Sequence, residues 1–157
     1  DTTRACAILR DLGTPCVVHQ PKYSMFERTP EAGLLDVVEK EGIGCAVFSP
    51  LAQGLLTDRY LQGIPSDARA GKPHGFLRPE QIDAARLAKV RALGALAAER
   101  GQPLASLALA WVLRDRRVTS AIIGASKVSQ LEQCVAAAAS APLSSEELKR
   151  IDTILAA

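Results

Sequence analysis

Two places along this chain combine residue types that can hold an anion, and a third can hold an amide. The first is Ser49-Pro50-Leu51-Ala52-Gln53-Gly54-Leu55-Leu56-Thr57-Asp58-Arg59-Tyr60, directly after the apolar run 43–48. Backbone N–H groups over 51–55 can face a phosphate there, with Gly54 permitting close approach and Arg59 supplying charge. The same residues also read as an ordinary strand exit with a solvated arginine, since no short phosphate-loop pattern is present. The second place is Ser126-Lys127, between Gly124 and a helix start. A hydroxyl, an ammonium and helix N–H groups together form an anion site; the plainer alternative is a capped surface helix. The third is Gln20, which ends a short strand and whose amide can both donate and accept. Facing water, it would be only a polar strand end.

Absences narrow the chemistry. No His/Cys cluster has metal-ligand spacing, and no Ser/His/Asp order suggests acyl transfer. The net charge of +2 is too small to argue for nucleic acid or a membrane surface as partner. No stretch approaches a membrane span, and no charged-then-apolar signal segment opens the chain. Cys6, Cys16, Cys45 and Cys134 are scattered without a C-x-x-C pair, which fits free thiols in a reducing cytoplasm. At 157 residues, nearly half of them apolar, the chain can bury one core, so 1–157 reads as a single domain. It starts without methionine and reads as helix over 3–12, the pattern of a chain that begins inside a larger domain.

The elements that must position these residues follow from periodicity and breakers. Ala5, Ile8, Leu9 and Leu12 form an apolar stripe that Gly13 ends. A short strand over 15–20 is closed by Pro21. Thr29-Pro30-Glu31 is a helix start, with Leu34, Leu35 and Val38 as its buried face and Gly42 as its stop. The strand over 43–48 stops near Ser49, because Pro50 cannot donate to a ladder. Residues 62–79 are rich in Gly, Pro and charge and read as a long loop. Pro79-Glu80 opens a helix carrying Ile82, Val90, Leu93, Leu96 and Ala97. A second helix places Leu104, Leu107, Ala108, Trp111 and Val112 on one face, so Trp111 is core packing. Arg114, Arg116 and Arg117 read as surface charge suited to a helix C-terminus. A third strand over 119–123 turns at Gly124. Ser129 with Glu132, and Ser144 with Glu147, read as capping boxes of the last two helices. Strands alternating with helices argue for a parallel α/β sheet with right-handed crossovers.

The run Phe48 to Thr57 resembles the strand-and-loop signature of the aldo-keto reductases. Two further segments match that family in the same order: Gln20-Pro21-Lys22-Tyr23-Ser24-Met25-Phe26-Glu27-Arg28, and Ile123-Gly124-Ala125-Ser126-Lys127 with Gln130-Leu131. The branch resembled holds bacterial L-glyceraldehyde 3-phosphate reductases and voltage-gated potassium channel beta subunits. The match covers the C-terminal half of the family's usual length.

That resemblance implies the C-terminal part of a (β/α)8 barrel, whose last three strands these would be. Three strands cannot close a barrel, so the piece would need the missing N-terminal half or self-association. The resemblance also implies NADP(H) as cofactor and a small aldehyde or ketone as substrate. Gln20 would hold the nicotinamide carboxamide and Phe48 would meet the nicotinamide face. Tyr23 belongs to the same motif in a packing role. Ser49, Pro50, Leu51, Ala52, Gly54 and Leu55 match the wall beside the nicotinamide end of the diphosphate. Arg59 and Arg69 fall where that branch places cations against phosphates. Gly124, Ser126 and Lys127 match the 2′-phosphate site. Gln130 matches the adenosine end, where Gln133 and Cys134 depart from the usual Glu and Asn. The family's catalytic Asp, Tyr, Lys and His have no matching segment here, so the chain alone is expected to be inactive. The alternative implied is a non-catalytic NADP-sensing module resembling a channel beta subunit.

Overall fold

A computed structural model describes residues 2–61, 63 and 82–157. Three short parallel strands set the frame: β1 (Val18–His19), β2 (Gly44–Phe48) and β3 (Ser120–Ile122), with β2 central. Val18 pairs with Gly44 and His19 with Cys45. Ala46, Val47 and Phe48 pair with Ser120, Ala121 and Ile122. A further parallel bridge joins Lys22 to Phe48. The C-terminal ends of the strands therefore lie side by side, the edge where parallel α/β sheets place ligands.

Among the described residues six α-helices accompany the strands: α1 (Thr2–Asp11), α2 (Leu34–Glu41), α3 (Ala84–Glu99), α4 (Leu104–Leu113), α5 (Val128–Ala138) and α6 (Ser145–Ala156). Alternation along β2 decides which side of the sheet is covered. Cys45 and Val47 are fully buried among the helices, while Phe48 on the opposite face is 40 % exposed. α4 is apolar all round and packs against both α3 and α5. Its Leu107, Trp111 and Val112 form the centre of the core with Leu35, Val38 and Leu93.

Element ends depart from the sequence expectation for local reasons. β1 spans Val18–His19 rather than 15–20; among the described strands it has a neighbour on one side only. Its outer edge is open, with Val17 and Val18 exposed. The stripe on α1 is not a buried face: Ile8 and Leu12 are exposed and Cys6 is the buried residue. Thr29-Pro30-Glu31 forms a separate 3-10 turn, because Gly33 at φ +109 breaks the chain before α2 begins. Thr29 Oγ1 bonds the Glu27 carboxylate rather than capping a helix. The helix start expected at Pro79-Glu80 lies outside the described residues. The described helix α3 begins at Ala84, with extended Asp83 capping it through Oδ1 to Arg86 N at 2.6 Å. Ile82 therefore precedes the helix and packs beside Leu55 and Tyr60.

Candidate functional site

The C-terminal edge gathers Gln20, Phe48 and the residues leading to Gly124. Gln20 follows β1 directly and is exposed. Phe48 is the last residue of β2, paired to Ile122. Gly124 is exposed two residues past β3.

The loop after Phe48 carries unusual backbone. Ser49 (φ 56), Ala52 (φ 47) and Gln53 (φ 61) all sit in the left-handed region, and they are the non-glycine residues that do so among the described ones. Each such residue costs roughly 1–2 kcal/mol, and such strain clusters at binding and catalytic sites. Gln53 Nε2 donates to Ser49 Oγ at 2.8 Å, spanning the strained segment. Gly54, at φ +95, takes an angle that side chains rarely allow. Pro50 is buried, Leu51 and Ala52 are half-buried, and Leu55 is buried against Tyr60.

One expectation about this loop is corrected. The N–H groups over 51–55, expected from the sequence to face a phosphate, are mostly used internally. Ala52 N bonds Ser49 O at 2.9 Å, Gly54 N bonds Leu51 O at 2.9 Å and Leu55 N bonds Ala52 O at 3.2 Å. The 3-10 turn Ala52–Gly54 and the bend leading into it consume these donors; a second 3-10 turn follows at Asp58–Tyr60. Thr57 links the turns: its Oγ1 donates to Gly54 O at 2.6 Å and accepts from Arg59 N at 3.2 Å. Arg59 is exposed beyond that cap. Arg69 lies outside the described residues.

At the third strand end, Ser126 and Lys127 are both exposed. Lys127 is the extended N-cap residue of α5, not a member of a Ser129–Glu132 capping box. That expectation fails because the helix starts at Val128, which puts Ser129 inside its first turn. No side chain caps α5; Gln130 Oε1 instead ties down the residue ahead of the cap, accepting from Ser126 N at 2.9 Å and from Ser126 Oγ at 3.2 Å. Gln130 and Cys134 are half-buried and Gln133 is exposed. The Ser144–Glu147 capping box on α6 is present with both bonds.

Sequence reasoning missed a polar network behind the site. Arg114, read as surface charge, lies 3.7 Å over the Trp111 ring. It donates to Tyr23 Oη and to Glu31 Oε1, each at 3.0 Å. Tyr23 donates to the same Glu31 oxygen at 2.7 Å. Burial pushes the Glu31 carboxyl up, but bonds from Arg28, Tyr23 and Arg114 outweigh this and hold it below its ordinary value. Burial, then the Glu31 bond, pushes the Tyr23 phenol well above the usual range. Arg117 is likewise engaged, bonding Asp115 at 2.7 Å and also pairing with Asp36; Arg116 is exposed, paired to Glu39. No local signal marks Arg114, because its partners lie 83 and 91 residues away.

Residues 1–156 match the family model described as the Aldo/keto reductase family. The chain belongs to that family. It is 42% identical over 159 residues to L-glyceraldehyde 3-phosphate reductase of Escherichia coli, covering 99% of this chain and 46% of the relative. It is 39% identical over 130 residues to a probable voltage-gated potassium channel subunit beta of Arabidopsis thaliana, covering 81% and 40%. The fold aligns with a glycerol dehydrogenase from Gluconobacter oxydans at a TM-score of 0.72 and 26% identity, covering 99% of this chain and 53% of that one. An aldo-keto reductase from Bacillus halodurans aligns at 0.67 and 25% identity, covering 94% and 46%. The chain thus spans about half the length of the relatives it matches, and its α/β fold is three parallel strands, with their helices, of the family's (β/α)8 barrel.

Proposed function

We propose that this aldo/keto reductase chain forms the cofactor-binding part of an NADP(H)-dependent reductase of small aldehydes or ketones. The observation that carries the reading is the strained loop Ser49, Ala52 and Gln53 directly behind a half-exposed aromatic at the C-terminal sheet edge. Strain held at a ligand-facing edge is paid for by the rest of the fold and has a use where a ligand docks.

The residues present fit such a cofactor. Gln20 would hold the ring carboxamide, and Phe48 would present its face to the ring. Ser49 through Leu55 would wall the diphosphate, with Arg59 beside it. Backbone donors contribute less to that wall than side chains, since the loop uses its own N–H groups. Lys127 and Ser126, with Gln130 fixing Ser126, would hold a 2′-phosphate. When bound, NADPH supplies the hydride. The Escherichia coli relative supports glyceraldehyde 3-phosphate as the substrate class, with a methylglyoxal-type aldehyde as the other small aldehyde proposed.

Two open edges support a partner. Ile8, Leu12, Val17 and Val18 are exposed on the α1–β1 side, and Ile122, Val128, Leu131 and Val135 on the β3–α5 side. We assign these to contact with the N-terminal half of a barrel or with another copy of the chain. The four cysteines are free thiols, which supports a cytoplasmic setting; among the described residues no helix is long and apolar enough to cross a membrane. A second reading, a nucleotide-sensing module, is favoured by the likeness to channel beta subunits.

The test is a titration with NADPH and NADH, repeated on Lys127→Ala. Tighter NADPH binding that is lost on substitution is the expected result. Equal affinity for both nucleotides, or no effect of Lys127→Ala, removes the 2′-phosphate assignment.

A further inference from the structure

Phe48 is 40 % exposed, so packing covers only part of its ring, and where the ring stands at the sheet edge depends on the backbone at the end of β2 that carries it. On one side that backbone pairs with Ile122. On the other it pairs with 21–23: Phe48 N donates to Pro21 O at 2.9 Å, and Tyr23 N donates to Phe48 O at 3.2 Å. This segment is held by a single bridge rather than a regular strand, so its own anchor matters. That anchor is Tyr23, a fully buried ring 5.4 Å from Trp111 between centroids.

The Tyr23 hydroxyl is held at both its donor and its acceptor site. It donates to Glu31 Oε1 at 2.7 Å and accepts from Arg114 Nη1 at 3.0 Å, while Arg114 Nη2 closes the triangle on Glu31 at 3.0 Å. Arg28 takes the other Glu31 oxygen and reaches Asp152 on α6 at 2.6 Å. A partly buried ion pair of this kind is weak evidence for stability, because packed apolar residues often do as well. What it supplies is a fixed geometry between the 21–23 segment and α4.

We infer that Arg114 and Glu31 are positioning residues for the nicotinamide end of the site: they hold Tyr23, and through the paired backbone they hold Phe48. The inference rests on the NADP(H) reading above. Neither residue touches the cofactor in this scheme. Their effect reaches only the end of the site that Phe48 serves.

The experiment titrates the chain, Tyr23→Phe and Glu31→Gln with two probes: NADPH, and adenosine 2′,5′-bisphosphate, which has no nicotinamide. Tyr23→Phe keeps the buried ring, and emission from the chain's single tryptophan, Trp111, shows whether the network has opened. The expected result is a rise in the NADPH Kd of about fivefold, the worth of one hydrogen bond, with the bisphosphate Kd unchanged. Equal losses for both probes would make the network merely structural and overturn the inference. So would an unchanged NADPH Kd in both variants. If the unsubstituted chain binds the bisphosphate but gains nothing from the nicotinamide, or binds neither, the functional reading itself fails, and this inference with it.

Discussion

Gln53 Nε2 donates to Ser49 Oγ at 2.8 Å, joining two residues that both hold left-handed backbone angles. The bond offsets part of the strain at each end. Gln53→Ala removes the bond and keeps the strain, so it should destabilise by about 1 kcal/mol. Gln53→Gly also loses the bond, but it relieves a penalty of roughly 1–2 kcal/mol against an added chain entropy of about 0.5–1 kcal/mol. Denaturant unfolding should therefore rank Gly above Ala at this position. If the two variants unfold at the same midpoint, the loop stores no strain at Gln53.

Two glycines should respond to alanine in opposite senses. Gly54 has φ +95, and a Cβ there would stand 3.4 Å from Tyr60 Cε2. The contact is tolerable, so the cost is mainly backbone, about 1–2 kcal/mol. Gly94 lies inside α3 with ordinary φ and nothing within 4 Å of an added Cβ. Gly94→Ala should stabilise by about 0.5–1 kcal/mol. Thermal melts of both variants check the pair, and a destabilised Gly94→Ala would contradict the open space seen around that helix face.

How far the sequence could be read depended on whether the cause was local. Gly13, Gly42 and Pro50 bound their elements where breakers should, and the Ser144–Glu147 box forms as its spacing implies; Pro21 does not end the pairing with β2, which continues at Lys22. Ser129 and Glu132 have the same spacing yet form no box, because α5 starts at Val128 with Lys127 as its N-cap, which leaves Ser129 inside the first turn. The apolar stripe on α1 is real in the sequence, but periodicity cannot say whether a partner element is at hand, and Ile8 and Leu12 stay exposed. The left-handed angles at Ser49, Ala52 and Gln53 were invisible, since none is a residue that advertises φ > 0. Arg114 was misread for the opposite reason: its partners are distant in the chain, and only folding brings them together.

Acid should weaken the fold through carboxylates that are bonded only when folded. Glu147 is held down to about 2 by the Ser144 backbone N–H and then by the Arg100 guanidinium. Glu31 is also held below its ordinary value, where bonds from Arg28, Tyr23 and Arg114 outweigh its burial. A carboxyl whose folded pKa is depressed stabilises fully above its unfolded pKa, and that stability is lost as pH falls through the folded pKa. Stability should thus be flat above about pH 5 and decline toward pH 2. Ser144→Ala should cost about 1 kcal/mol at neutral pH by removing the cap. Glu147→Gln should flatten the decline. An unchanged acid limb in Glu147→Gln would show that other groups drive it.

The chain itself should not reduce carbonyl compounds, even with NADPH bound. Hydride transfer leaves an alkoxide-like oxygen, and an acid must protonate it as charge develops. The chain has two tyrosines, Tyr23 and Tyr60, and both are buried, at 0% and 1% exposure. The Tyr23 phenol is pushed up by burial and by Glu31, which makes it a poorer acid, and its hydroxyl is already bonded to Glu31 and Arg114. Tyr60 packs with Leu55 and lies against Gly54. A catalytic tyrosine needs a nearby cation to lower its pKa and a hydroxyl open to substrate; neither residue has both. NADPH oxidation against small aldehydes should stay at the background rate, in the parent chain and in Tyr23→Phe and Tyr60→Phe alike. Turnover that disappears in Tyr60→Phe would place the proton donor in the loop behind Phe48, and turnover that disappears in Tyr23→Phe would make the Glu31–Arg114 network part of the chemistry rather than its support.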